Sequence, residues 1–127
     1  MKITIFIIVG LLCMMSVSAA NDGVLTGIVL LHDCKAFIKT LDHYDVETHI
    51  DIQYANHCEG YVLGVTHASI IWQSAGGQRA SICLPENVTL TQIIMVVINH
   101  LEKNPKKLHL QADSSVISAL NEAFPCK

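Results

Sequence analysis

The chain is short of positive charge. Its 8 Lys and Arg stand against 11 Asp and Glu, a formal net charge of −3. Nucleic-acid binders need a basic face, so the balance argues against that class. The sequence has no H-E-x-x-H, no two cysteines two to four residues apart, and no G-x-S-x-G. The first two absences remove the common zinc patterns, and the third removes the strained turn that presents a hydrolase serine. Internal repeats, low-complexity tracts and linkers are missing too, so 127 residues make one domain. The run from Ile3 to Met15, apolar but for Thr4 and Gly10, is too short to span a bilayer.

What that run does resemble is a secretory signal. Lys2 supplies a positive start, Ser16-Val17-Ser18-Ala19-Ala20 supplies small residues, and polar Asn21-Asp22 follows. The expectation is a signal peptide over residues 1–20 and a single exported domain over residues 21–127. Cleavage would remove Cys13 and leave Cys34, Cys58, Cys83 and Cys126. An even count in an oxidising compartment reads as disulfides, and four cysteines allow three pairings.

Helical spacing dominates the rest. Val24, Ile28, Leu31, Ile38 and Leu41 recur at three- and four-residue steps and predict one helix face. Asp42-His43-Tyr44-Asp45 breaks the pattern. Tyr54, Cys58, Tyr61, Val62, Val65, Ala68 and Trp72 predict a second helix of about six turns, closed by Ser74-Ala75-Gly76-Gly77-Gln78. Pro85 biases Leu84 toward extended backbone. Thr89 and Gln92 have the spacing of a capping box, opening a third helix that is apolar nearly all round and therefore central. Asn104-Pro105 stops it. Val116, Ile117, Leu120, Ala123 and Phe124 mark a fourth helix, ended by Pro125.

The fold class expected is all-α, a compact bundle of four to five helices. Consecutive helices with short connections pack antiparallel. That layout puts Cys83, just before the third helix, near Cys126, just after the fourth. It also levels Cys34 with Cys58. The predicted disulfides are Cys34–Cys58 and Cys83–Cys126.

Little chemistry is visible. The 7 histidines show no strong ligand spacing and read as surface or capping residues. The cysteines are committed to disulfides, and no carboxylate sits inside an apolar run where its pKa would rise. We therefore expect no catalytic residues, no metal, no cofactor and no enzyme activity. Gly60 and Gly64 form a G-x-x-x-G, read as close packing of a neighbouring helix within the fold or, less simply, across a dimer interface.

Several segments in order carry a resemblance: Cys58-Glu59-Gly60-Tyr61-Val62-Leu63-Gly64, Ile82-Cys83-Leu84-Pro85, Val88-Thr89-Leu90-Thr91-Gln92, Leu101 with Pro105, Leu108-His109-Leu110-Gln111-Ala112, and the closing Ala123-Phe124-Pro125-Cys126. Together they resemble the Rap/Tai family of type VI secretion immunity proteins. The resemblance implies a small all-α homodimer in the periplasm. It would bind a peptidoglycan amidase effector and block its cleft sterically, with no membrane attachment after cleavage. The matching residues look structural, so toxin contacts are expected in the intervening loops: Ser74, Gly76, Gly77, Gln78, Arg79 and Ser81 in one, Lys106, Lys107 and His109 in the other. The other class considered is a small exported carrier of a hydrophobic ligand, which would need an apolar internal cavity.

Overall fold

A computed structural model describes residues 23–41, 49–76 and 81–127. The expected signal segment lies outside them. The described chain forms α1 (Gly27–Leu41), α2 (His49–Ala75), α3 (Leu90–Lys103), a 3-10 turn (Pro105–Lys107) and α4 (Ala112–Ala123). It is a helical bundle, as expected, with only two isolated β-bridges among the described residues.

Local chemistry sets the helix ends. Thr89 Oγ1 accepts from the Gln92 amide at 3.2 Å, and Gln92 Oε1 accepts from the Thr89 amide at 2.9 Å. This closes the capping box and satisfies two donors that the first turn of α3 would leave orphaned. Thr89→Ala should cost about 1 kcal/mol of stability, read from the denaturation midpoint. At α1 the orphan donors are met from elsewhere: the Gly27 and Ile28 amides donate to the Leu110 and Leu108 carbonyls, both at 2.9 Å. The approach is close. A Cβ on Gly27 would sit 3.0 Å from Leu101 Cδ2 and 3.3 Å from the Leu108 carbonyl oxygen.

The buried face of α1 is only in part the one periodicity suggested: Leu31 and Ile38 pack half-buried against the core. Leu30, Asp33, Cys34, Ala36 and Phe37 are buried, while Val24, Ile28 and Leu41 are exposed. Residues 28–31 are apolar on every side, so spacing alone leaves two candidate stripes. The disulfide at Cys34 selects one of them. On α2, 27 residues and about seven turns long, Ala55, Cys58, Val62 and Thr66 face the core. Tyr54 and Trp72, expected inside, are exposed. α3 is buried along Ile93, Ile94, Val97, His100 and Leu101, but Met95 faces solvent, so the helix is central on one side only.

Leu30, Ile94, Leu101, Val97, Val116 and Leu120 form the centre of the core together with Val62. Each such side chain taken out of water contributes roughly 1.5–3 kcal/mol. Two disulfides staple the bundle, Cys34–Cys58 and Cys83–Cys126, the pairs expected from the helix layout. The second is reinforced by backbone bonds: the Cys83 amide donates to the Phe124 carbonyl at 2.9 Å and the Cys126 amide to the Ser81 carbonyl at 3.3 Å. The C-terminal Phe124-Pro125-Cys126 is thus laid as a short antiparallel bridge along residues 81–83.

Candidate interaction surface

Two features could carry function: a charged cluster between α1 and α2, and a groove beside the end of α2. In the cluster, Asp33 is 2 % exposed, and its two carboxylate oxygens accept from His57 Nδ1 at 2.6 Å and His32 Nδ1 at 3.0 Å. A buried charge is stable only when paired and hydrogen-bonded. Here the partners are rings that themselves remain about half exposed or more. Because the carboxylate accepts, each ring carries its proton on Nδ1 toward Asp33. Tyr54 packs edge-on to His32, and Tyr61 lies tilted against His57.

His32 and His57 are exposed, as the sequence suggested; what it did not suggest is a buried carboxylate, Asp33, that both of them hold. Asp33 lies on the apolar stripe of Leu30, Cys34 and Phe37. An Asp–His pair resembles the orienting half of a catalytic dyad. The neighbouring thiols, Cys34 and Cys58, are bonded to each other and cannot act as nucleophiles. The cluster instead repeats the staple: Asp33–His57 and Cys34–Cys58 tie adjacent residues of the same two helices. His100 is a second buried exception, its Nδ1 donating to Glu122 Oε2 at 2.9 Å and so joining α3 to α4. Among the described residues no group of three or more His, Cys, Asp or Glu could hold a metal ion. No described helix is long and apolar enough to cross a membrane.

The groove, about 500 Å³, runs between the C-terminal half of α2 and α4. Val65, Ala68 and Trp72 form one wall, Ile117 and Asp113 the other, with Ile82 and Ser81 closing the end. Gln73 Oε1 accepts from the amides of Ser81 at 2.6 Å and Ile82 at 3.1 Å, pinning the chain after the α2 loop to the helix it left. Burial pushes the Tyr61 phenol up, and the Asp113 carboxylate pushes it further; a backbone hydrogen bond from Asp113 opposes part of this. Tyr61 therefore stays a neutral phenol. The groove is open and Trp72 stands in solvent, which differs from the enclosed apolar cavity a ligand carrier needs.

Of the loop residues expected to touch a partner, Ser74, Gly76 and Ser81 are exposed at the end of α2. Gly77, Gln78 and Arg79 lie outside the described residues. Lys106, Lys107 and His109 are exposed on the turn after α3, which packs against the start of α1. Gly60 and Gly64 correct the packing expectation: a Cβ on either would meet nothing within 4 Å, so no helix of the described chain lies against them.

No curated protein and no solved structure matches the chain. A family model described as Rap1a immunity proteins matches residues 26–126. The match begins at Thr26, which bridges to Gln111, and ends at Cys126, so it takes in all four helices and both disulfides. The chain belongs to the Rap1a immunity protein family.

Proposed function

We propose that the protein is exported to the periplasm of a bacterium that uses type VI secretion. There it binds a peptidoglycan amidase effector and blocks its substrate cleft. Family membership implies binding of a cognate effector toxin, and that match over residues 26–126 is the observation that carries the reading. Two disulfides suit an oxidising compartment, and the leader-like segment over residues 1–20 suits export. A wall-degrading toxin acts in that compartment, so its antidote must be there too. Inhibition by occupation needs no catalytic group of the protein's own. The exposed Ser74, Gly76 and Ser81 and the Lys106, Lys107 and His109 turn are the proposed contacts, together with Gly77, Gln78 and Arg79.

The test is rescue from lysis. The full chain is co-expressed with amidase effectors of the cysteine–histidine type sent to the periplasm. We expect one effector to be neutralised, and alanine substitutions at Lys106, Lys107 and His109 to weaken its binding while the melting curve stays put. Normal binding by such variants would remove that turn from the interface.

We further propose a homodimer formed through the flank of α2 that carries Gly60, Gly64 and exposed Ile71. Within a monomer, Gly60→Ala or Gly64→Ala should stabilise the helix by about 0.5–1 kcal/mol, because the added methyl meets open space. Across a close helix pair the same methyl would push the partner away. Sedimentation should therefore show weaker association in variants that melt at a higher temperature. Association unchanged by either substitution would place the dimer elsewhere.

A further inference from the structure

The geometry points to the groove between α2 and α4 as a docking site for a segment of the effector that carries an apolar side chain next to a lysine or arginine. The inference rests on reading the protein as an effector-binding immunity protein, and names the chemistry of the segment it grips.

Isolated exposed apolar residues are ordinary on a protein surface, and they call for an account when they adjoin in one concavity. Here Trp72, 72 % exposed, stands on the rim of a groove whose walls include Val65, Ala68, Ile82 and Ile117. Tryptophan anchors are the commonest centres of binding energy at interfaces, and their value depends on a pocket that excludes water around them. The rim is held in place. Trp72 lies within the last turns of a long helix, and the end of the groove, at Ser81 and Ile82, is fixed to that helix through Gln73. The surface is therefore ordered before the partner arrives, which lowers the entropic cost of docking.

Charge decides the kind of partner. Among the described residues, Asp113 is the one ionisable group lining the groove. It stands in the first turn of α4 and is exposed. Gln73 Oε1 already accepts two amides and Asp113 Oδ1 accepts from the Ser114 amide and hydroxyl, so the other oxygen of the charged Asp113 carboxylate is the acceptor offered to a guest. A guest with an apolar tip fills the concavity, and a neighbouring cation pairs with Asp113 and can lie over the indole face. A second copy of the chain fits less well. A two-fold interface centred on this groove would turn one Asp113 toward the other, and like charges across an interface are penalised. Gly60 and Gly64 occupy a flank of α2 roughly 100° round the helix from Val65 and Trp72, so a dimer formed there leaves the groove open.

The chain has one tryptophan, so its fluorescence reports occupancy of the groove directly. The full chain is used to select binders from a phage-displayed library of random linear peptides. We expect the selected peptides to place an aromatic or leucine beside arginine or lysine, and to shift the Trp72 emission to the blue. Trp72→Ala should weaken them roughly 30-fold or more, and Asp113→Asn roughly tenfold. Trp72→Phe should keep part of the affinity. Ile28→Ala, at a residue 58 % exposed on α1 and outside the groove, should leave binding unchanged. Circular dichroism checks that each variant is folded. The proposal is overturned by an absence of enrichment, by peptides that are acidic, or by peptides that bind Trp72→Ala as well as the parent. It is also overturned if Trp72→Ala dissolves a dimer, because a second copy then covers the groove. The effector found by rescue is tested on the same variants. An effector neutralised without any dependence on Trp72 refutes the groove and leaves the immunity reading standing. Peptides that need Trp72, with no amidase neutralised, support the groove and sink the amidase reading alone.

Discussion

Cys126→Ser should lower the unfolding free energy by about 4 kcal/mol. The Cys83–Cys126 bond closes a sequence separation of 43 residues, and loop-closure entropy for a ring of that size gives this magnitude. In a domain of about 100 residues the melting temperature would fall by roughly 15–25 °C. The loss is concentrated at the end of α4. Phe124 is packed against the core and its carbonyl holds the Cys83 amide, so an untied tail frays from the bridge inward. Cys83 is exposed, and in the variant it should react with a thiol reagent in the native state. Calorimetry and thiol titration check both statements. A fall of less than about 5 °C would mean that the backbone bridge, and not the sulfur bond, holds the tail.

His57→Ala should cost about 2–3 kcal/mol, more than a half-exposed histidine normally carries. The reason is the carboxylate it leaves behind. Asp33 is buried, and its Oδ2 would lose the 2.6 Å bond, leaving one oxygen supported by His32. Removing one partner from a buried charge costs the desolvation of the charge that remains. Water entering the space left by the ring limits the cost. Replacing both members distinguishes this account from simple loss of packing. Asp33→Leu in the His57→Ala background removes the stranded charge and should recover part of the stability, giving a positive coupling in the double-mutant cycle. Additive losses would show that the two residues do not act as a pair.

How much of this was legible from residues alone differs from element to element. The capping box of α3 is a local code, four residues satisfying their own donors, and it reads directly. The disulfides read correctly because consecutive antiparallel helices bring level Cys34 with Cys58, each about two turns from the connection, and Cys83 before α3 with Cys126 after α4. The face of α1 did not. Ile28, Val29, Leu30 and Leu31 are consecutive, so no three-and-four spacing is privileged until the disulfide turns Cys34 inward. The error on α2 has the same origin and a functional consequence. Tyr54, Ala68 and Trp72 share the helical period of a core stripe, yet they lie about a quarter turn from Ala55, Cys58, Val62 and Thr66, with Val65 half-buried between the two sets. The period of a buried face and of a partner-facing surface is the same, and only tertiary packing separates them. Asp33 shows its place only once the Cys34 stripe is known to be the buried one, and nothing local points to His57, 24 positions away. Gly60 and Gly64 keep their spacing but face outward, so the motif showed that a close approach is possible without showing what approaches.

This chain belongs to the Rap1a immunity proteins, and we propose that it neutralises a wall-degrading amidase by occupying it. The most direct measurement is hydrolysis of purified peptidoglycan by the purified effector, titrated with the purified protein. The account predicts that hydrolysis falls linearly and stops at one effector per binding site, and that prior binding of substrate fragments slows the inhibition. Full hydrolysis in the presence of excess folded protein, with every amidase tried, would contradict it.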